Sequence, residues 1–95
     1  MSIATVTSNY TLTNANNTVL ANTTSGAITI TLPAPTNISG RIYTIKKVGT
    51  GGIDKELTIS PASGTIDGGA SYVIYNDWTY VTLQTDVTNW YIIKK

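Results

Sequence analysis

The stretch "AITITLP", residues 27 to 33, carries the clearest structural pattern in this chain. Ile28, Ile30 and Leu32 alternate with two threonines, so the aliphatic side chains face one side of an extended strand and the hydroxyl groups face the other. Pro33 follows and would end the strand, because proline cannot donate a hydrogen bond to a neighbouring strand. The pattern therefore predicts a half-buried β-strand.

Similar apolar stretches recur along the chain and are separated by glycine, proline and asparagine. No window shows apolar residues at the three- and four-residue spacing of a helix, and Thr, Ile, Val and Tyr favour strands. The sequence therefore predicts an all-β fold, a small sandwich or barrel-like domain of seven to eight short antiparallel strands. The further strand candidates are "GRIYTIKKV" at 40 to 48, "ELTIS" at 56 to 60, "SYVIY" at 71 to 75, "WTYVTLQ" at 78 to 84 and "NWYIIK" at 89 to 94.

The first part of the chain is less regular than the rest. Two weak strand patterns, around Tyr10 to Leu12 and Thr18 to Leu20, lie among turn-forming asparagines. We expect residues 1 to 26 to form an N-terminal arm or hairpin and residues 27 to 95 to form the main β-domain.

Composition excludes several kinds of site. The 95 residues contain no Cys and no His, so no disulfide, zinc or copper site of ordinary type is expected, and no cofactor. Charged residues make up only 12% of the chain and the net charge is +1, which argues against a nucleic-acid partner. No apolar run is long enough to span a bilayer, and the first ten residues do not resemble a signal peptide. Without His, and with its acids mostly in predicted turns, the chain is not expected to be an enzyme.

Aromatic residues are the remaining candidates for binding. Six Tyr and two Trp occur without any Phe, so every ring carries a polar group and suits a partly wet surface. The alternation predicts that Trp78 and Tyr80 share one face of a strand while Val81 and Leu83 point into the core. Trp78 and Tyr80 then lie either in a subunit interface or on an open surface where sugar rings stack. The candidates for glycan contact are Trp78, Tyr80, Tyr72 and Tyr75.

The closing strand is apolar on both faces. Trp90 and Ile92 share one face, and Tyr91 and Ile93 share the other. A small domain has one core, so a partner subunit is expected to cover the second face. We assign all four side chains to the core and to an interface, and we expect an oligomer because no disulfide or metal is available to stabilise so short a chain.

The order of several short motifs resembles a small β-domain of bacteriophage tail-fibre and other virion structural proteins. The shared pattern is a Thr-rich strand ending in Leu-Pro, a Gly-Arg-x-Tyr-Thr-Ile-Lys-Lys strand, a Thr-Ile-Asp-Gly turn and a closing Asn-Trp-Tyr. The corresponding segments are 31 to 33, 40 to 47, 65 to 68 and 85 to 91. Val87 stands where the pattern has glycine, so the last turn must differ or be stabilised by its neighbours.

The resemblance implies a homotrimeric, fibre-type domain in the virion, made in the host cytoplasm. Its expected role is structural, in a fibre or spike head that takes part in host attachment, with other virion proteins and a bacterial surface glycan as partners. Two alternatives stay open at this point: a capsid decoration (head fibre) protein, and a free carbohydrate-binding module that acts as a monomer.

Overall fold

The computed structural model describes residues 2 to 95, and these residues form nine β-strands and no helix. In chain order the strands are β1 (Ile3–Val6), β2 (Tyr10–Thr11), β3 (Thr18–Asn22), β4 (Ile28–Leu32), β5 (Ile42–Val48), β6 (Leu57–Pro61), β7 (Tyr72–Ile74), β8 (Tyr80–Thr85) and β9 (Trp90–Lys94). They build a five-stranded sheet in the order β1-β3-β5-β8-β9 and a four-stranded sheet in the order β2-β4-β6-β7.

Up to β6 the chain changes sheets after every strand. Strands that return to the same sheet therefore pair in parallel, β1 with β3 and β3 with β5 in one sheet, β2 with β4 and β4 with β6 in the other. Parallel pairing needs a crossover connection, and here each crossover contains a strand of the facing sheet, as in a coil of a β-solenoid. The last three strands break this path, because β7 pairs antiparallel with β6, β8 with β5 and β9 with β8.

The core lies between the two sheets and follows the predicted alternation. Ile28, Ile30 and Leu32 of β4 are buried, and the threonines between them lie on the outer face. Val81 and Leu83 of β8 are buried from the opposite sheet, as expected. The prediction of a small all-β sandwich is confirmed.

Strand number and direction differ from the prediction. The described part of the chain has nine strands where seven to eight were expected, and four of its seven pairings are parallel where antiparallel pairing was expected. The physical reason is that alternation reports which side chains share a face and carries no information on the direction of the neighbouring strand.

Residues 3 to 22, within the predicted N-terminal arm or hairpin, contribute β1, β2 and β3 to the sandwich. β2 and β3 lie in different sheets, so they do not pair as a hairpin. Val19 is fully buried in the core, and the Tyr43 hydroxyl donates a 3.0 Å hydrogen bond to the carbonyl of Thr13. These contacts attach the N-terminal strands to β5.

Two turns explain motifs of the sequence. In "TIDG", Asp67 and Gly68 both have positive φ, and Ile66 and Gly69 exchange backbone hydrogen bonds, which is the arrangement of a two-residue hairpin turn. In the last turn the Asp86 carboxylate accepts hydrogen bonds from the N–H groups of Thr88 and Asn89, both at 2.8 Å. The carboxylate thus stabilises the turn, and Val87 needs no glycine-like conformation.

Candidate functional site

An open groove of about 450 Å³ lies where the chain passes from β7 to β8. β7 and β9 are the last strands of their sheets, and Lys95 contacts Tyr72 between them, with 5.3 Å from its Nζ to the ring centre. We call this surface the aromatic groove. It is lined by Tyr72, Val73, Ile74, Tyr75, Asn76, Trp78, Thr79, Tyr80, Val81 and Lys95.

All four candidate aromatic residues line this groove. The side chains of Trp78 and Tyr75 are 61% and 54% exposed, and Tyr80 is 36% exposed, so ring surface is open to a ligand. Tyr72 is half-buried and packs against the core. Exposed aromatic surface of this extent in a concave site is unusual for a small domain that has no ligand or partner to cover it.

Trp78 does not lie on the strand where the sequence placed it. β8 begins at Tyr80, and Trp78 precedes it in a turn with φ of 66°. This left-handed conformation is rare for a bulky residue and costs on the order of 1–3 kcal/mol. The Trp78 N–H donates a 2.7 Å hydrogen bond to the carbonyl of Lys47, which attaches the turn to β5. The sequence reasoning placed Trp78 beside Tyr80 by strand alternation, whereas the turn brings the two rings into one groove.

A buried ion pair supports the same turn. The ammonium group of Lys47 is fully buried and donates hydrogen bonds to the Asp77 carboxylate and, at 3.1 Å, to the carbonyl of Gly52. The Gly52 N–H in turn donates to Asp77 at 3.1 Å. The hydrogen bond from Lys47 lowers the pKa of Asp77 against the opposing effect of burial, and the Gly52 N–H lowers it further. Asp77 is thus ionised at neutral pH, and its hydrogen bonds with Lys47 and Gly52 hold the residue before Trp78 in place.

Two further lysines lie at the groove. Lys46 pairs with Tyr80 across β5 and β8, and its Nζ lies 5.9 Å from the centre of the Trp78 ring. Lys95 donates a 3.4 Å hydrogen bond to the Tyr72 hydroxyl. The Nζ atoms of Lys46 and Lys95 lie 5.9 Å and 5.3 Å from the centres of the Trp78 and Tyr72 rings, within the range of cation–π attraction. The groove therefore combines ring surface with positive charge.

The closing strand divides its side chains between core and solvent. Trp90 is fully buried, with its ring centre 5.7 Å from that of Tyr43, and Ile92 packs against the core. Tyr91 and Ile93 are exposed on the surface of the single chain. A partner that covers Tyr91 and Ile93 stays a prediction. The free edge of β9 is partly occupied already, because the 65 to 67 segment exchanges backbone hydrogen bonds with Trp90.

Sequence reasoning missed the charged and turn residues of the site. Nothing in the sequence around Asp77 indicates that Lys47, thirty residues away, would be buried against it. Lys46 follows the strand alternation and lies on the outer face of β5, but its contact with Trp78 depends on the turn. Lys95 follows β9, and Tyr72 lies on β7 of the other sheet, so their contact depends on how the two sheets pack.

Residues 2 to 95 contain no cluster of three or more acidic side chains that could bind a metal ion. In the same range no helix is long and apolar enough to cross a membrane. No family model matches the chain, and no curated protein matches it.

Proposed function

We propose that this chain is a structural domain of a bacteriophage virion, a fibre or spike head, that binds carbohydrate of the bacterial surface through the aromatic groove. One observation carries the binding part of the proposal: Tyr72, Tyr75, Trp78 and Tyr80 lie in one open concave surface. The C–H groups on the apolar face of a sugar ring carry partial positive charge and fit the negative face of an aromatic ring. Asn76 and Thr79 add polar groups that suit sugar hydroxyls.

The virion part of the proposal rests on the motif resemblance of residues 27 to 95. The Gly-Arg-x-Tyr-Thr-Ile-Lys-Lys motif corresponds to β5 and the residues that precede it, at the centre of the five-stranded sheet. Tyr43 of this motif is a core residue, and Lys47 anchors the turn of the groove. The motif that carries the resemblance thus also supports the proposed binding surface.

The binding proposal is tested with an array of immobilised bacterial capsular and O-chain saccharides. Trp78→Asn removes the most exposed ring of the groove, and asparagine tolerates the positive φ that the turn requires. We expect wild-type protein to bind a subset of the array and Trp78→Asn to lose at least about tenfold in affinity, since an aromatic contact contributes on the order of 1–3 kcal/mol.

Two controls accompany that test. A thermal unfolding temperature of Trp78→Asn at or above that of the wild-type protein shows that its loss of binding does not arise from misfolding. Val87→Asn alters another exposed apolar residue, in the last turn, and keeps wild-type binding if the groove is the site. Failure of the wild-type protein to bind any saccharide, or equal binding by Trp78→Asn, contradicts the proposal.

The two alternatives make different predictions. A capsid decoration protein shares the trimer and needs no glycan, and an antibody against the domain labels the heads of purified phage particles rather than their fibres. A free carbohydrate-binding module binds the same array as a monomer, and the antibody then labels no phage particle.

A further inference from the structure

We infer that the saccharide bound by the aromatic groove is negatively charged, carrying carboxylate or phosphate groups. This inference rests on the proposed function, because it names the class of carbohydrate for the same surface. It comes from the charges around the groove rather than from its rings.

The side chains that line the groove include one cation and no carboxylate. Lys95 is the one charged residue among the lining side chains, and Lys46 lies over the Trp78 ring. In the described part of the chain neither ammonium group forms an ion pair with a carboxylate, since the ion pair found there joins Lys47 to Asp77. Lys46 and Lys95 thus keep hydrogen-bonding capacity and charge for a ligand.

Asp77 does not neutralise these lysines. It is next to Trp78 in the chain, but its carboxylate is occupied by the Lys47 ammonium and the Gly52 N–H. The pair Lys47–Asp77 has no net charge, so it does not offset the positive charge of Lys46 and Lys95. A ligand with an anionic group therefore gains favourable electrostatic energy at the groove, whereas a neutral ligand does not.

The positions of the two lysines suit a sugar chain with spaced charges. Lys46 lies at the Trp78 ring and Lys95 lies at the Tyr72 ring, so a cation accompanies aromatic surface at two separate places. A sugar ring that stacks on either place brings a carboxylate or phosphate substituent within reach of an ammonium group. A single-stranded nucleic acid also combines bases with charge, but such binding uses a longer basic track than two lysines in a chain of net charge +1.

The experiment compares charged and neutral forms of one saccharide. Oligogalacturonate and its fully methyl-esterified form have the same rings and differ in charge, and both are titrated in solution beside the acidic and neutral saccharides of the array. We expect acidic saccharides to dominate the array hits. Oligogalacturonate should bind more tightly than its ester, and the difference should shrink as salt rises to about 0.5 M, because salt screens exposed charges.

Single substitutions test whether Lys46 and Lys95 cause the preference for charged saccharides. Lys46→Gln and Lys95→Gln should each lower affinity for oligogalacturonate about 2- to 5-fold, as expected for partly exposed ion pairs, and leave the ester unchanged. Lys55→Gln is the matched control, because it removes the same charge from a residue that neither lines the groove nor lies over its rings. Thermal unfolding verifies that each variant is folded.

The remaining outcomes separate this inference from the proposed function. Equal binding of neutral and acidic saccharides overturns the inference and leaves carbohydrate binding intact. Binding of no saccharide overturns both. Tighter binding of an oligothymidylate than of any acidic saccharide overturns both in favour of single-stranded nucleic acid.

Discussion

At the scale of single residues, backbone conformation limits substitution at the positions that shape the turns. Trp78, Asp67 and Asn37 are the described non-glycine residues with positive φ. Asn and Asp tolerate that conformation through local hydrogen bonds, whereas tryptophan does not. Trp78 is thus the strained member of the three, and its strain is stored in the proposed binding surface, where rare conformations are often found.

Gly64 provides a residue-scale prediction. It has φ of 78°, and a Cβ atom there would lie 2.2 Å from the carbonyl oxygen of Thr88. Gly64→Ala therefore combines backbone strain with a steric clash against the last turn. We expect it to lower the free energy of unfolding by about 2–4 kcal/mol, measured by urea denaturation.

Gly68 is the matched control for that substitution. Its φ of 83° is similar, but no atom lies within 4 Å of the Cβ position. Gly68→Ala should cost only the strain, roughly 1–2 kcal/mol. Equal losses for the two variants would show that the contact between Gly64 and the last turn does not matter for stability.

At the scale of elements, the turn between β7 and β8 depends on one buried ion pair. Lys47 belongs to β5 of the five-stranded sheet, and Asp77 belongs to the turn, so their contact connects the groove to the centre of the sandwich. Removal of Asp77 leaves an unpaired charge on the fully buried Lys47 side chain, whereas removal of Lys47 leaves an unpaired carboxylate that is partly exposed. The ion pair therefore positions Trp78 even though neither partner lines the groove.

Acid should weaken this connection in a defined direction. The pKa of Asp77 is lowered in the folded protein, so the unfolded chain binds more protons between the two pKa values. The stability contributed by Asp77 is present above its unfolded pKa near 4 and is lost as pH falls through the lower folded value. We expect the difference in unfolding free energy between wild type and Asp77→Asn to be largest at pH 7 and to shrink toward pH 2.

The difference between wild type and Asp77→Asn separates the effect of Asp77 on stability from that of a second acid, Asp86. The pKa of Asp86 is also lowered, by the N–H groups of Asn89 and Thr88 and by the Tyr91 hydroxyl, so wild-type protein loses stability in acid for two reasons. Asp77→Asn retains the Asp86 contribution, and subtraction removes it. A difference that does not change with pH would contradict the assigned role of Asp77.

At the scale of the whole molecule, the exposed apolar residues of β9 bear on oligomerisation. Tyr91 and Ile93 are exposed on the outer side of the strand, and Ile42 is exposed on β5 of the same sheet. Tyr91 and Ile42 both pair with Gln84 of β8, so these two apolar side chains flank one polar side chain. Such a surface suits a subunit contact, which is the arrangement the resemblance implies.

Light scattering across a concentration series tests this contact. We expect a mass near three times 10.1 kDa for the wild-type protein. Ile93→Lys should reduce it toward the monomer, because an unpaired charge would be buried in the contact, while an exposed lysine on a monomer costs little. Val87→Lys makes the same change at an exposed residue of the last turn and should preserve the trimer. A wild-type mass of 10.1 kDa at every concentration would exclude the trimer and favour the free module.

The strand alternation was sufficient to predict the fold class and the faces of the strands, because side chains in a strand point alternately to its two sides. Ile28, Ile30, Val81 and Leu83 could thus be assigned to buried faces from the sequence. The four groove aromatics could be chosen because tyrosine and tryptophan suit half-wet surfaces.

Strand direction and the composition of the groove depended on the tertiary structure. The same alternation fits parallel and antiparallel neighbours, so the crossings between sheets over β1 to β6 left no trace in the local pattern. The Lys47–Asp77 pair and the contact of Lys95 with Tyr72 join residues 30 and 23 positions apart. Periodicity describes neighbours along one strand, whereas these contacts arise only when separate strands pack, and they position the ring of Trp78 and the charge at the groove.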